Sequence, residues 1–280
     1  MIDLGHATTF LFVPGDRPER FAKAASSGAD AVIIDLEDAV APEAKDRARA
    51  AVTSFLAASR GSPAVVRVNG ADTPWFADDL LALADAGPAG IVLPKAEDIE
   101  VLQEIAARLP DTVLLPLIET AKGFANLAQL ASVTPCVCRF IFGTIDFQLD
   151  LGIEGEGEEL LAFRSELVLR SRVAGTAPPV DGVSLSIDDP ETLLFESRRA
   201  RRLGFGGKLC IHPRQVSVVA AAFRPTDEEI ARAERIVAAA DSSTSGVVVV
   251  DGRMVDRPVV AVARKTLLRA SLAPSSNRMD

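Results

Sequence analysis

The chain has 280 residues, 48% hydrophobic and 25% charged, with a formal net charge of −9, which suits a soluble globular protein of one or two domains and not a disordered one. So negative a body repels nucleic acid and anionic membranes unless a basic patch intervenes; the densest basic run, Arg198, Arg199, Arg201 and Arg202, falls late in a helical pattern and reads as a solvated face. Cys136, Cys138 and Cys210 are too few for a disulfide framework, and neither an export signal nor an apolar run of about 18 residues occurs, so a cytoplasmic protein without a membrane span is expected.

From Thr9 onward, short apolar runs alternate with amphipathic helical runs, the pattern of βαβ units around a parallel sheet. Strands are predicted at residues 9–14, 31–36, 64–68, 90–94, 113–118, 139–143, 182–185 and 208–211, each largely apolar as strands buried on both faces require. Pro42 opens a helix over 42–60, and Pro110 closely follows one over 98–109. Helices over 75–86 and 190–203 end at Gly87 and Gly204, which take the left-handed cap conformation at low cost. Eight such units also suit an open doubly wound sheet, but no G-x-G-x-x-G follows the first strand, so an α/β fold closed into a (β/α)8 TIM barrel is expected over residues 1–223. Residues 224–280 break this rhythm with a helix over 226–240, a polar DSSTSG turn, a strand over 247–250 and a helix over 259–270, a C-terminal helical and hairpin appendage.

In such a barrel the chemistry sits where strands end, because the C-terminal mouth is the open face of a packed interior. Those ends carry Asp16 and Arg17, then Asp35, Glu37 and Asp38, Arg67 and Asn69, Lys95, Glu119, Asp146, Ser186 and His212. Glu119 and Asp146 together suit one hard cation that keeps water and substrate in its other positions, or else are helix caps. Arg67 offers a permanent fork of donors for a carboxylate or oxyanion, or else pairs with Glu37 or Asp38. Lys95 fits a Schiff-base lysine less well than an ion pair, and His212 reads as a capping residue more than as an acid or base. With only His6 and His212, a multi-histidine metal site is excluded.

The segments FLFVPGDRPERFAKA, VIIDLEDAV, VVRVNG, IVLPKAE, LIETAKG, GTIDFQLDLG, KLCIHPRQV and DGRMVDRPVV stand in this order between about residues 8 and 270. Together they resemble the citrate lyase β subunits and their stand-alone CitE-like relatives in the HpcH/HpaI aldolase superfamily. The resemblance implies a homotrimer or dimer of trimers, with Mg²⁺ (Mn²⁺ as a substitute) held by Glu119 and Asp146. It also implies substrate contacts by Arg67 and Glu119, supported from behind by Glu37 and Asp38. Relatives cleave malyl, citramalyl or citryl thioesters to an acetyl thioester and a 2-oxoacid, or run the reverse. In the coenzyme A lyases the aspartate matching Asp256 comes from a neighbouring subunit, so the appendage is expected to pack on one. For the coenzyme A phosphates, Arg17 and Arg20 near the first strand end are the expected contacts, against surface pairing with Asp16 and Glu19. One departure stands out: Ile145 precedes Asp146 where many relatives carry an acid. Alternatives of related chemistry are a pyruvate-releasing aldolase without coenzyme A and a citrate lyase β subunit working on an acyl-carrier-protein thioester.

Overall fold

A computed structural model describes residues 3–59, 64–133, 136–243 and 247–272. Arg60, the last residue of the helix expected over 42–60, and the end of the DSSTSG turn lie outside them. The chain separates into two compact units, Met1–Ala220 and Ala221–Asp280.

The first unit is a closed barrel of eight parallel strands in sequence order: β1 (Thr9–Pro14), β2 (Ala31–Asp35), β3 (Ala64–Arg67), β4 (Gly90–Leu93), β5 (Val113–Ile118), β6 (Ile141–Phe142), β7 (Val180–Asp181) and β8 (Gly207–Cys210). Helices follow the strands, including Lys45–Ala58, Phe76–Ala84, Ile99–Arg108, Leu161–Ala174 and Pro190–Leu203. This is the expected TIM barrel. Its axis is filled by alternate strand residues, among them Phe10, Ile33, Val65, Val92, Leu115, Leu117, Ile141, Val180 and Leu209. Because side chains alternate across a strand, Asp35, Arg67 and Glu119 share that parity and are carried to the C-terminal end of the same interior. The expected terminators act as such: Gly87 and Gly204 have φ of 64° and 105°, and Asp189 accepts from the amides of Glu191 and Thr192 to start Pro190–Leu203.

Two strands depart from expectation, and buried charge is the reason in both. The sixth is only Ile141–Phe142, because Arg139 leaves the ladder and lies wholly buried beneath the barrel. There it donates to the carbonyls of Leu4, Ala7 and Pro179, all preceding strands, while its guanidinium stacks 5.6 Å from the Phe10 ring. The seventh was expected at 182–185 and is found at Val180–Asp181. Asp181 lies just before the apolar run 182–185 on which the expectation rested, and as a charged residue it was left out of the strand, yet it is fully buried, facing the helix layer beside its register neighbour Lys208. Arg164 Nε lies 2.9 Å from Asp181 Oδ1 and Lys208 Nζ 3.3 Å from Oδ2, while Arg164 Nη2 reaches Glu156 at 2.8 Å. Arg199 also corrects an expectation: it is not on a solvated face but turns inward, 3.7 Å from Glu156, with Nε and Nη2 buried.

Removing one member of a buried charge cluster strands the others, at about 3–5 kcal/mol. Asp181→Ala is therefore expected to lower unfolding stability by roughly that amount in chemical denaturation. Burial raises the Asp181 carboxyl, but Lys208 and Arg164 outweigh it and leave it below the ordinary 3.8. A depressed carboxyl contributes stability that is present above its unfolded pKa and lost as pH falls through the folded one, so the wild type should lose this contribution only below about pH 4. The Asp181→Ala variant should lack that part of the acid limb.

The second unit holds helix Asp227–Asp241, the antiparallel hairpin β9 (Val248–Val250) and β10 (Arg253–Val255), and helix Arg257–Leu272. Thr226 and Glu229 form a capping box at its start. Asp251 and Gly252, both left-handed, make the tight turn. Ala233, Ile236, Val255 and Ala263 form its core. β10 supplies the second strand of the expected hairpin; its own range was not predicted, because three residues, Arg253–Val255, are too short a run to stand out. No helix among the described residues is long and apolar enough to cross a membrane.

Candidate active site

The loop after β2 and the end of β3 supply the first half of the site. Arg67, the last residue of β3, donates through Nε and Nη2 to the two carboxylate oxygens of Asp35, both at 2.7 Å. This two-pronged pair fixes the guanidinium plane. Its remaining nitrogen, Nη1, lies 3.0 Å from Glu37 and 3.7 Å from Asp38, and the group stacks 5.0 Å from the Phe12 ring. The expected pairing with Glu37 and Asp38 is thus present, with Asp35 as the dominant partner. Burial acts against the charged guanidinium, but Asp35 outweighs it and holds Arg67 above its ordinary pKa.

Asp35 also accepts from the amides of Glu37 and Ala39, so one carboxylate shapes the loop and aims the arginine. Lys45, buried at the start of its helix, donates to the Leu36 and Glu37 carbonyls at 2.7 and 2.8 Å and lies 5.1 Å from the Trp75 ring. Asp79 accepts from the backbone and side chain of Asn69 and from Arg49. Neither Lys45 nor Asp79 was expected. The signal was available, because both occupy apolar-stripe positions of their helices: Lys45 with Ala48, Val52 and Leu56, and Asp79 with Phe76, Leu80 and Leu83.

The second half comes from β5 and β6, which are hydrogen-bonded neighbours. Glu119 follows β5 directly and is buried; its Oε1 accepts from the Lys95 amide at 2.8 Å. Gly143 follows β6, and a Cβ there would lie 2.6 Å from Glu119 Oε2, so glycine leaves room for this carboxylate. Asp146 stands three residues on, in the first turn of helix Thr144–Leu151, partly exposed, beside the exposed Ile145. Neither acid is a helix cap: the residue at the cap is Thr120 for helix Ala121–Ala125 and Gly143 for Thr144–Leu151.

Burial, then the nearby charge of Glu37, push Glu119 from the ordinary 4.5 up to about 8, and Asp146 adds to the effect. Burial likewise pushes Glu37 to about 7, against the pull of Arg67. Glu37 Oε2 is buried without an aligned donor. Five acids, Asp35, Glu37, Asp38, Glu119 and Asp146, share the mouth with the cations Arg67, Lys95 and Lys45, and burial together with the neighbouring acids disfavours the ionised forms of Glu37 and Glu119. A hard divalent cation relieves that, and the oxygen donors present fit Mg²⁺. Among the described residues no three or more His, Cys, Asp or Glu converge into a closed metal cage. Two protein carboxylates are the arrangement in which Mg²⁺ keeps positions for water and substrate.

The remaining candidates fall elsewhere. His212 Nδ1 accepts from the Arg214 amide, a capping contact before helix Pro213–Phe223. Arg17 and Arg20 lie just past β1, over half exposed and loosely paired with Asp16 at 3.8 Å and Glu19 at 4.0 Å. Asp256 belongs to the second unit, where its carboxylate accepts from the Val259 amide at the start of the last helix.

Residues 8–213 match the family described as HpcH/HpaI aldolase/citrate lyase, and residues 172–273 the one described as C-C bond lyase of the TIM-barrel fold. A citrate lyase subunit beta of Leuconostoc mesenteroides subsp. cremoris is 34% identical, the alignment covering 94% of this chain and 93% of that protein. A (3S)-malyl-CoA thioesterase of Cereibacter sphaeroides is 38% identical over 93% of each chain. Among solved structures, CitE of Mycobacterium tuberculosis in complex with magnesium, acetoacetate and coenzyme A is 37% identical and superposes with a TM-score of 0.86, covering 96% of this chain and 100% of that one.

Proposed function

The chain belongs to the HpcH/HpaI aldolase/citrate lyase family, and on that premise we propose a Mg²⁺-dependent carbon–carbon lyase acting on a 2-hydroxyacid coenzyme A thioester such as malyl-, citramalyl- or citryl-CoA. One observation carries it: a buried glutamate at the end of β5 and an aspartate in the first helical turn after the adjacent β6, in a mouth that also holds an arginine locked in orientation by Asp35.

Glu119 and Asp146 would hold the ion, which supplies Lewis-acid polarisation of the substrate hydroxyl oxygen. The hydroxyl would give up its proton to solvent water, its oxygen becoming the carbonyl of the 2-oxoacid, while the carbon–carbon bonding pair passes into the thioester enolate. Arg67 steadies the charged oxygen; with Nε and Nη2 committed to Asp35, Nη1 is the edge left to do so. Glu37 and Asp38, now on Nη1, are the groups that substrate would displace or share. Asp256 delivers the proton that converts the enolate carbon to the methyl of acetyl-CoA, or removes it in condensation.

We assign Asp256 to a neighbouring subunit's site, in a homotrimer or dimer of trimers in the cytoplasm. The outer face of the β9–β10 hairpin supports this reading, because the cross-strand pair Val249 and Met254 is 73% and 68% exposed, an apolar surface suited to a partner.

Metal-replete enzyme given the three thioesters should release a 2-oxoacid and acetyl-CoA from at least one; no 2-oxoacid from any of them overturns the assignment. The malyl-CoA thioesterase relative favours a second reading, hydrolysis of the thioester bond, which would instead release free coenzyme A and the intact hydroxyacid. For the coenzyme A phosphates we assign Arg17 and Arg20. The Arg17→Ala, Arg20→Ala double variant is expected to raise KM for the thioester about tenfold with kcat little changed, and an unaltered KM removes both from the site.

A further inference from the structure

Among the described residues of the barrel unit, only one residue other than glycine has a left-handed backbone: Lys95, at φ 45°. A lysine there is sterically disfavoured, and such strain persists only where the surroundings enforce it. The enforcing contacts are local. The Ala96 amide donates to the Leu117 carbonyl at 3.1 Å, and the Ala96 carbonyl is so close to Gly123 that a Cβ there would lie 2.5 Å from it. The side chain does not hold the conformation, since its ammonium is half exposed and 3.9 Å from Glu37. What the strained peptide does is aim its N–H at Glu119 Oε1, 2.8 Å away. The other oxygen, Oε2, then packs against Gly143, in the space a side chain there would take, and Gly143 is the cap of the helix that carries Asp146.

We propose that Lys95 is a positioning residue whose left-handed backbone, and not its ammonium, anchors one oxygen of Glu119 so that the other faces the cation shared with Asp146. The inference rests on Glu119 being a metal ligand. Hydrogen-bonding partners of metal ligands typically cost 10–100-fold in metal affinity when lost.

The test is Mg²⁺ affinity by titration calorimetry, with folding followed by circular dichroism. Lys95→Gly, which adopts positive φ freely, and Lys95→Met, which keeps the stem without the charge, are expected to bind Mg²⁺ within about threefold of the wild type, because the amide stays in place. Lys95→Val resists positive φ and should bind at least about tenfold more weakly. Should Lys95→Val not fold, an ester at this linkage, introduced as the α-hydroxy analogue of lysine, deletes the N–H alone and should give the same loss. Equal affinity in the Gly and Val variants, or in the ester and the wild type, overturns the proposal, as does a tenfold loss in Lys95→Gly. Glu119→Gln separates the underlying reading: if it binds Mg²⁺ like the wild type, Glu119 is not a ligand and both inferences fall.

Discussion

Alanine at Glu119 or at Asp146 is expected to lower turnover by at least about 10³-fold, since on the proposed reading each would remove an ion ligand and the several kcal/mol of charge stabilisation that depends on it. The fold should survive, and neutralising Glu119 without changing its shape should stabilise the ion-free protein at pH values where the acid would be ionised. Its carboxyl is held at about 8 against an ordinary 4.5, mainly by burial and by Glu37. An acid raised on folding disfavours the folded state wherever it is ionised. The penalty is absent below about pH 4.5, grows as pH rises, and is complete above about pH 8. Glu119→Gln keeps the shape and removes the charge, so its ion-free melting temperature should exceed that of the wild type at pH 8, with the gap closing towards pH 5. Added Mg²⁺ should stabilise the wild type and not the variant. Near-normal turnover with unaltered Mg²⁺ affinity in either alanine variant would remove that carboxylate from the site.

The same electrostatics explains which parts of the molecule were legible in its sequence. β1 and β5 stand as expected because they are unbroken apolar runs packed on both faces. β6 and β7 were blurred because Arg139 and Asp181 are charged residues that fold inward, and their partners, from Leu4 to Lys208, are remote in sequence. Composition does not reveal such a pair; register does. The site divides in the same way. Acids and bases at strand ends were visible one by one, including Glu119, Asp146 and Arg67. Asp35 was visible only as another acid, because its grip on Arg67 depends on two adjacent strands being in register at Asp35 and Arg67. Lys45, Asp79 and Arg164 share a stronger signal: each is a charged residue on the buried stripe of its helix. Such a residue is expensive to bury unless paired, so its presence on the stripe announces a polar partner beneath.

An Arg67→Ala variant and an Asp256→Ala variant, each expected to be nearly inactive alone, should regain part of the wild-type rate when their subunits are exchanged. Arg67 is committed to the barrel, its plane fixed by Asp35, and on the proposed reading its loss would leave the charged oxygen without its donor, at a cost of about 10²–10³ in rate for one such donor. Asp256 lies in the second unit, at the start of the last helix, and a barrel's packed interior does not need it. If every site were built within one chain, mixing would return nothing, because each chain would carry one defect into its own site. If the tail of one chain serves the mouth of another, some mixed interfaces unite intact Arg67 with intact Asp256, and oligomerisation becomes a condition of catalysis. Two controls make the result decisive: mass spectrometry showing that subunits exchange, and a chain ending before Thr226, which should retain the barrel and Mg²⁺ binding but not turnover. Exchange without recovered activity, together with an active truncated chain, would return Asp256 to its local role of holding the Val259 amide.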